Sequence, residues 1–233
     1  MKKKTIIFEA SSQHVFEVRE KPVPAKKFIP DWWKNIPKYS SEDQILHLDP
    51  HATITVKQCA PTLDMFLSGY IIPLWSDVLV VQENDSPVIK WNSSQKVFDT
   101  WPLSQSSTFE VPNGYSKLIF KYCHGWNIIT PPGWSTLFIH PYGYQNSPIR
   151  SISGIVDTDI LTTDINCPFF IKEGFNGIIE KGTPMVQLIP FKREEWSSEY
   201  TLAKDKKLYF EAEKIATKIY GYYQSKRAKK IFK

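Results

Sequence analysis

Between Trp126 and Arg193 the chain cannot hold a helix of ordinary length. Breakers fall at Pro131-Pro132-Gly133, Pro141, Gly143, Pro148, Gly154, Pro168, Gly174, Gly177, Gly182-Thr183-Pro184 and Pro190. Proline removes a backbone donor and clashes with the preceding turn, while glycine adds conformational freedom that a helix interior must give up. The runs left between them, within WNIITPPGWSTLFIHPYGYQ, RSISGIVDTDILTTDINCPFFI and GIIEKGTPMVQLIPFKR, read as a ladder of short strands joined by turns. The predicted fold is therefore mainly β. It is a single distorted β-sandwich or jelly roll with a proline-rich N-terminal arm and a C-terminal α-helix.

Size and composition agree with one such unit. A length of 233 residues with 42% hydrophobic and 14% aromatic content supports one substantial core and is short for two domains. The reading divides the chain into an N-terminal hairpin and arm over 1–45, a sandwich over 46–196 and a helix over 205–228. The formal charge is +5, but the excess sits at the ends. Lys2, Lys3, Lys4, Lys226, Arg227, Lys229, Lys230 and Lys233 are eight of the 29 cations, which leaves 21 against 24 acids in the body. Lys226, Arg227, Lys229 and Lys230 are thus the candidate contacts for an acidic partner or nucleic acid, with solvated termini as the plainer account. The three cysteines, Cys59, Cys123 and Cys167, have no CxxC spacing and read as buried reduced thiols in a cytoplasmic protein. The apolar run after Lys4 is too short for a signal peptide, and no stretch reads as a membrane span.

Residues 5–20 read as a hairpin turning at Ser11-Ser12-Gln13, because HVFEVRE alternates. The prolines of KPVPAKKFIPDWWKNIPKYS leave room for one turn of helix from Pro30, and Trp32 and Trp33 are expected to plug this arm onto the domain. Pro61–Leu67 reads as a short helix capped by Thr62 and stopped at Ser68-Gly69. VIKWNS and KVFDTWP read as paired strands. KLIFKYCHGWNII reads as one strand with Leu118, Phe120 and Tyr122 on one face. In the last segment Leu208, Ala212, Ile215, Ile219 and Tyr222 form one helical stripe, suited to packing on the domain or in a homo-oligomer interface.

Four constellations could carry chemistry. Asp157 and Asp159, two apart, share one face of an extended strand, with Arg150 upstream. Such a set can hold a hard cation or divide acid and base roles on a nucleotide or sugar, and its plainer role is to cap turns and pair with cations. His47-Leu48-Asp49 with His140 and Arg150 has the form of an iron/2-oxoglutarate oxygenase set, although His47 sits in a loop-like stretch. Cys123 and His124 are adjacent on a strand and point apart, so they cannot act on one another. Finally, Trp134, Tyr142, Tyr144 and His140 surround turns at Pro141 and Gly143 and are the candidate aromatic binding loops. No nucleotide-cradling or hydrolase motif occurs, and no cofactor or dedicated metal set is specified.

Two resemblances extend this reading. IPDWWKNIPKY, KQCAPTLDMFLSGYIIPLWSDV, TPPGWSTLFIHP, SGIVDTDI and KGTPMVQLIPFKREEW resemble, in order and over nearly the whole chain, a domain-of-unknown-function family of tailed phages and bacteria. That likeness implies a viral or bacterial cytoplasmic setting and no particular chemistry. More locally, PPGWSTLFIHP, GIVDTDI and IIEKGTPMVQLI look like the strand order of the dUTPase and dCTP-deaminase superfamily. Asp157 matches its catalytic aspartate, and Gly182 and Gln187 match its later turn. Here HPYGYQ replaces the arginine-serine phosphate motif, Ile160 the base-stacking tyrosine, and Thr183-Pro184 the Asp-Arg pair. The likeness thus implies the sandwich without its triphosphate cradle. Together these features point to a non-catalytic structural or binding module, with an enzyme built on Asp157 and Asp159 as the alternative.

Overall fold

A computed structural model describes residues 4–38, 55–202, 206–216, 225, 226, 228 and 230–233. In chain order the elements are β1 (Ile7–Ala10), α1 (Gln13–Val18), β2 (Val23–Pro24), α2 (Asp31–Asn35), α3 (Ala60–Leu67), β3 (Tyr70–Pro73), β4 (Val78–Glu83), β5 (Ser86–Trp91), β6 (Phe98–Thr100), α4 (Leu103–Ser106), β7 (Tyr115–Tyr122), β8 (Trp126–Ile129), β9 (Trp134–Ile139), β10 (Ile149–Ser151), β11 (Gly154–Val156), β12 (Cys167–Lys172), β13 (Gly177–Ile179), β14 (Pro184–Lys192) and α5 (Lys206–Ala216). Among the described residues every strand pair is antiparallel. One sheet runs β11-β9-β14-β3-β2 and a second β10-β12-β7-β6; smaller sheets are β13-β4-β5 and β1-β8.

The core lies between the sheets. Ile72, Phe138, Val186 and Leu188 from the five-stranded sheet meet Phe98, Phe120, Tyr122, Ile149, Phe169 and Ile171 from the four-stranded one. Val78, Val80 and Ile179 of the three-stranded sheet join the same cluster. This is the mainly β, sandwich-like arrangement expected of the breaker-rich sequence. Phe169 and Ile171 point inward, while Phe170, between them, is buried on the other side under Phe109 at 5.9 Å. Both faces of β12 are therefore covered, which explains the unbroken run CPFFIK. Among the described residues no helix is long and apolar enough to cross a membrane.

Several local expectations change. Residues 5–20 are a strand followed by a helix. Ser12 has extended backbone and accepts the Val15 amide at 3.2 Å, an N-cap that starts α1, while β1 finds its partner far away, with Ile7 opposite Ile129. VIKWNS and KVFDTWP do not pair with each other. β5 pairs with β4 across a two-residue turn whose Asn84 and Asp85 both have positive φ, 52° and 59°, and β6 pairs with β7. Asn-Asp in a mirror-image turn was the available signal. KLIFKYCHGWNII divides into β7 and β8 at His124-Gly125. Leu118, Phe120 and Tyr122 do share the core-facing side. The helix from Ala60 is preceded by Cys59 at the cap position. Thr62 instead donates its hydroxyl to Cys59 Sγ, and the helix stops at Ser68-Gly69 as expected.

The proline-rich arm is fastened by its tryptophans. Trp33 is buried and packs on Phe66 of α3 with ring centroids 4.8 Å apart. Trp32 remains half exposed but donates its indole N–H to the Gly143 carbonyl at 2.8 Å. Gly143 has φ 89°, and a Cβ there would lie 2.5 Å from the Phe66 ring, so both backbone conformation and close approach demand glycine. The C-terminal helix is described over Lys206–Ala216. The side chains of Leu208, Ile215, Ile219 and Tyr222 lie outside the described set, and Ala212 is exposed.

Candidate functional site

The carboxylate candidates sit where β11 runs out. Asp157 begins a turn closed by Ile160 and Leu161 amides donating to its carbonyl at 2.9 and 2.8 Å. Between the two acids, Thr158 is fully buried. Its hydroxyl shares hydrogen bonds with Thr130 at 2.7 Å and Thr136 at 2.8 Å. Driving Thr158 inward turns Asp157 and Asp159 toward the same neighbour, which is Arg193 rather than Arg150.

Arg193 follows the last residue of β14, where Lys192 lies opposite Trp134 on β9 and the Arg193 amide donates to the Gly133 carbonyl at 2.9 Å. That register aims its guanidinium at the turn after β11. It forks onto Asp159, with Nη1 to Oδ1 at 2.7 Å and Nη2 to Oδ2 at 2.5 Å. Nη1 also lies within 3.2 Å of Asp157 Oδ1 and of the Trp134 carbonyl, and 2.9 Å from Ser135 Oγ. Ser135 donates to Asp157 Oδ1 at 2.6 Å, and the Gly133 amide donates to Asp159 Oδ2 at 2.7 Å. The Asp159 side chain is only 6% exposed, whereas Asp157 is 53% exposed. The hydrogen-bonded guanidinium, aided by the Gly133 amide, holds the Asp159 carboxyl down to about 2. A carboxylate so stabilised is a weak proton acceptor.

Arg150 stands apart from this cluster. It is an exposed residue of β10, in the four-stranded sheet, with its guanidinium 6.0 Å from the Tyr115 ring centre. The chain proximity that suggested an Arg150–Asp157 partnership is overridden by β10 and β11 entering different sheets.

The aromatic loop is likewise committed to structure. Tyr144 is half-buried and donates its hydroxyl to the Phe28 carbonyl at 2.9 Å, and Tyr142 packs edge-on against Phe66 at 4.8 Å. Expected as a free patch with Trp134, the two tyrosines instead receive the N-terminal arm. Trp134 is half-buried at the start of β9. His140 bridges the same loop, with Nε2 at 3.0 Å from the Tyr144 carbonyl and Nδ1 accepting the Ser151 amide at 3.3 Å. Both ring nitrogens are therefore used, and neither can ligate iron without breaking the loop. The remaining members of that proposed iron set, His47 and Asp49, lie outside the described residues. Beneath the loop Gln187, matched above to the dUTPase turn, is buried. It accepts the Tyr142 amide at 3.0 Å and donates to the Met65 and Ser68 carbonyls at 2.9 and 2.7 Å.

His124 is fully buried and neutral, with Nδ1 accepting the Trp126 amide at 3.0 Å and Nε2 donating to the Ile165 carbonyl at 2.8 Å. Burial lowers its proton affinity. The same effect pushes the half-buried Cys123 thiol up to about 11 and the buried Cys167 thiol further still, so neither is a thiolate nucleophile at neutral pH. Cys59 is also only half-buried, against the expectation of three fully buried thiols. Among the basic tail residues Lys230 pairs with Asp64 at 2.9 Å, while Arg227 and Lys229 lie outside the described residues. A groove of about 470 Å³ opens elsewhere, lined by Gln82, Asp85, Asn113, Tyr115, Lys117 and Glu173 among others. None of the candidate residues lines it. Among the described residues no three His, Cys, Asp or Glu side chains converge as a metal site.

Fold and site together define the class: a mainly β, sandwich-like protein whose paired aspartates are clamped by an arginine from the neighbouring long strand. No family model and no curated protein matches the chain.

Proposed function

We propose that the protein is a non-catalytic structural or binding module, of the accessory kind implied by its resemblance to the phage and bacterial family. One observation carries this reading: Arg193 takes up both candidate carboxylates, forking onto Asp159 and touching Asp157 beside Ser135. Groups that could serve as acid, base or ligand are thereby spent on fixing the β9–β11–β14 corner. The partner is a protein whose acidic surface meets the net positive charge of Lys226, Arg227, Lys229 and Lys230.

The test is metal analysis of untagged protein together with a thermal-shift panel of Mg²⁺, Mn²⁺, Fe²⁺ with 2-oxoglutarate, nucleotides and sugars. The expected outcome is no stoichiometric metal and no ligand-dependent rise in Tm. A rise of several degrees that disappears in Asp157→Asn overturns the reading. The alternative, a nucleotide- or sugar-processing enzyme, draws on the half-exposed Asp157 at the end of β11. It requires Asp157→Asn to abolish turnover while leaving the fold intact.

A further inference from the structure

The chain after β14 leaves large apolar side chains in solvent. Trp196 is 87%, Tyr200 96% and Leu202 86% exposed, and Tyr209 and Phe210 on α5 are also exposed. Lys230, Phe232 and Lys233 nevertheless have a seat on the body. Phe232 packs edge-on against Tyr70 of β3 with centroids 5.8 Å apart, the Tyr70 hydroxyl lies 3.3 Å from the Lys233 carbonyl, and Lys230 pairs with Asp64 of α3 at 2.9 Å. Phe8 of β1 also packs edge-on against Tyr70, at 5.1 Å, and burial raises the pKa of the Tyr70 hydroxyl. Tyr70 lies opposite Leu188 in the β3–β14 register, five residues before the arm departs at Arg193. The gap from departure point to seat is thus about 17 Å. Phe232 lies 39 residues beyond Arg193, with an extended reach above about 100 Å.

We propose that this C-terminal arm is exchanged between two copies of the chain. Phe232 and Lys230 of one copy occupy the Tyr70 and Asp64 seat of the other, and Trp196, Tyr200 and Leu202 are buried along the crossing arms. The occupant is a second copy because hook and seat are both present on this one sequence, which is the self-complementarity that exchange requires. Slack far beyond the gap lets the same contacts form in trans without strain. Burial of Trp196, Tyr200 and Leu202, which the arrangement within one chain leaves in water, then favours the dimer. This inference is independent of whether Asp157 supports turnover.

The test uses the intact protein. Heavy-isotope-labelled and unlabelled chains are unfolded together, refolded and treated with a carbodiimide, which joins Lys230 Nζ to the Asp64 carboxyl as an amide with loss of water. A dimer by sedimentation, with about half of the Lys230–Asp64 amides joining a heavy to a light peptide, is the expected result for random exchange. Amides confined to a single isotope, a dimer that yields no such amide, or a monomer at every concentration each overturns the proposal. The triple variant Trp196→Ser/Tyr200→Ser/Leu202→Ser changes only exposed positions. It is expected to keep the thermal transition and lose the dimer, whereas a triple variant as dimeric as the parent also overturns it.

Discussion

Asp157 and Asp159 behave differently although one arginine holds both. Asp159 is covered, forked by Arg193 and bonded by the Gly133 amide, whereas half of Asp157 faces water. Replacing Asp159 by Asn removes one fork and should lower Tm by several degrees. Asp157→Asn should cost a degree or two, because solvent already screens that contact; equal losses would show that the fork is not the stronger bond. The histidines set a second dependence. Burial lowers the proton affinity of both His124 and His140. Above the ordinary histidine value of about 6.5 neither state binds the proton. Below it the unfolded chain binds protons first, so stability is full above that pH and falls as the medium is acidified. Asp159 adds a separate loss between about pH 4 and its folded value of about 2. Denaturant titrations from pH 8 to pH 5 check the first part. His124→Gln should start lower and fall less steeply, and a parallel curve would count against His124 as the source.

The N-terminal arm and the Pro141–Ser147 loop stabilise one another. Trp32 bonds Gly143, Tyr144 bonds Phe28, and Phe66 lies between Trp33 and Tyr142. Gly143→Ala adds a Cβ 2.5 Å from Phe66 at a positive φ. It should destabilise by about 1–3 kcal/mol and speed proteolysis near residues 20–38. Loss of stability with no change in cleavage would uncouple arm from loop. At the other end of the arm, Ser12 caps α1, and Ser12→Ala should cost about 1 kcal/mol in urea titration. These elements also show where local reading fails. HVFEV alternates like a strand, yet one serine cap and the remote β1–β8 pairing make it helix. The Asn84-Asp85 turn, by contrast, carried its own signal.

At the scale of the molecule, the core cluster among the described residues draws on nothing after β14, which ends at Lys192. Chain ended after Leu202 should therefore keep a cooperative unfolding transition. With exchange, only the full-length protein should show a Tm that rises with concentration. A truncated chain that fails to unfold cooperatively would place the arm within the core instead. Sheet order separates the earlier site candidates. β10 carries Arg150 into one sheet and β11 carries Asp157 to the edge of another, so residues seven apart in sequence end on different layers.

Fold class was legible in the chain alone, because the prolines and glycine turns between Trp126 and Arg193 leave no run long enough for an ordinary helix whatever packs around them. The sequence also determined the strand alternation that puts Phe120 and Tyr122 inside, and it marked Asp157 and Asp159 as a pair. Tertiary structure alone decided what that pair does. Arg193 lies 34 residues beyond Asp159 and reaches it only through the β9–β14 register, and no local pattern encodes a pairing between strands so far apart in the chain. His140 and Gln187 follow the same rule: their partners come from other turns and helices, fixed when the sheets stacked and buried polar groups had to be satisfied.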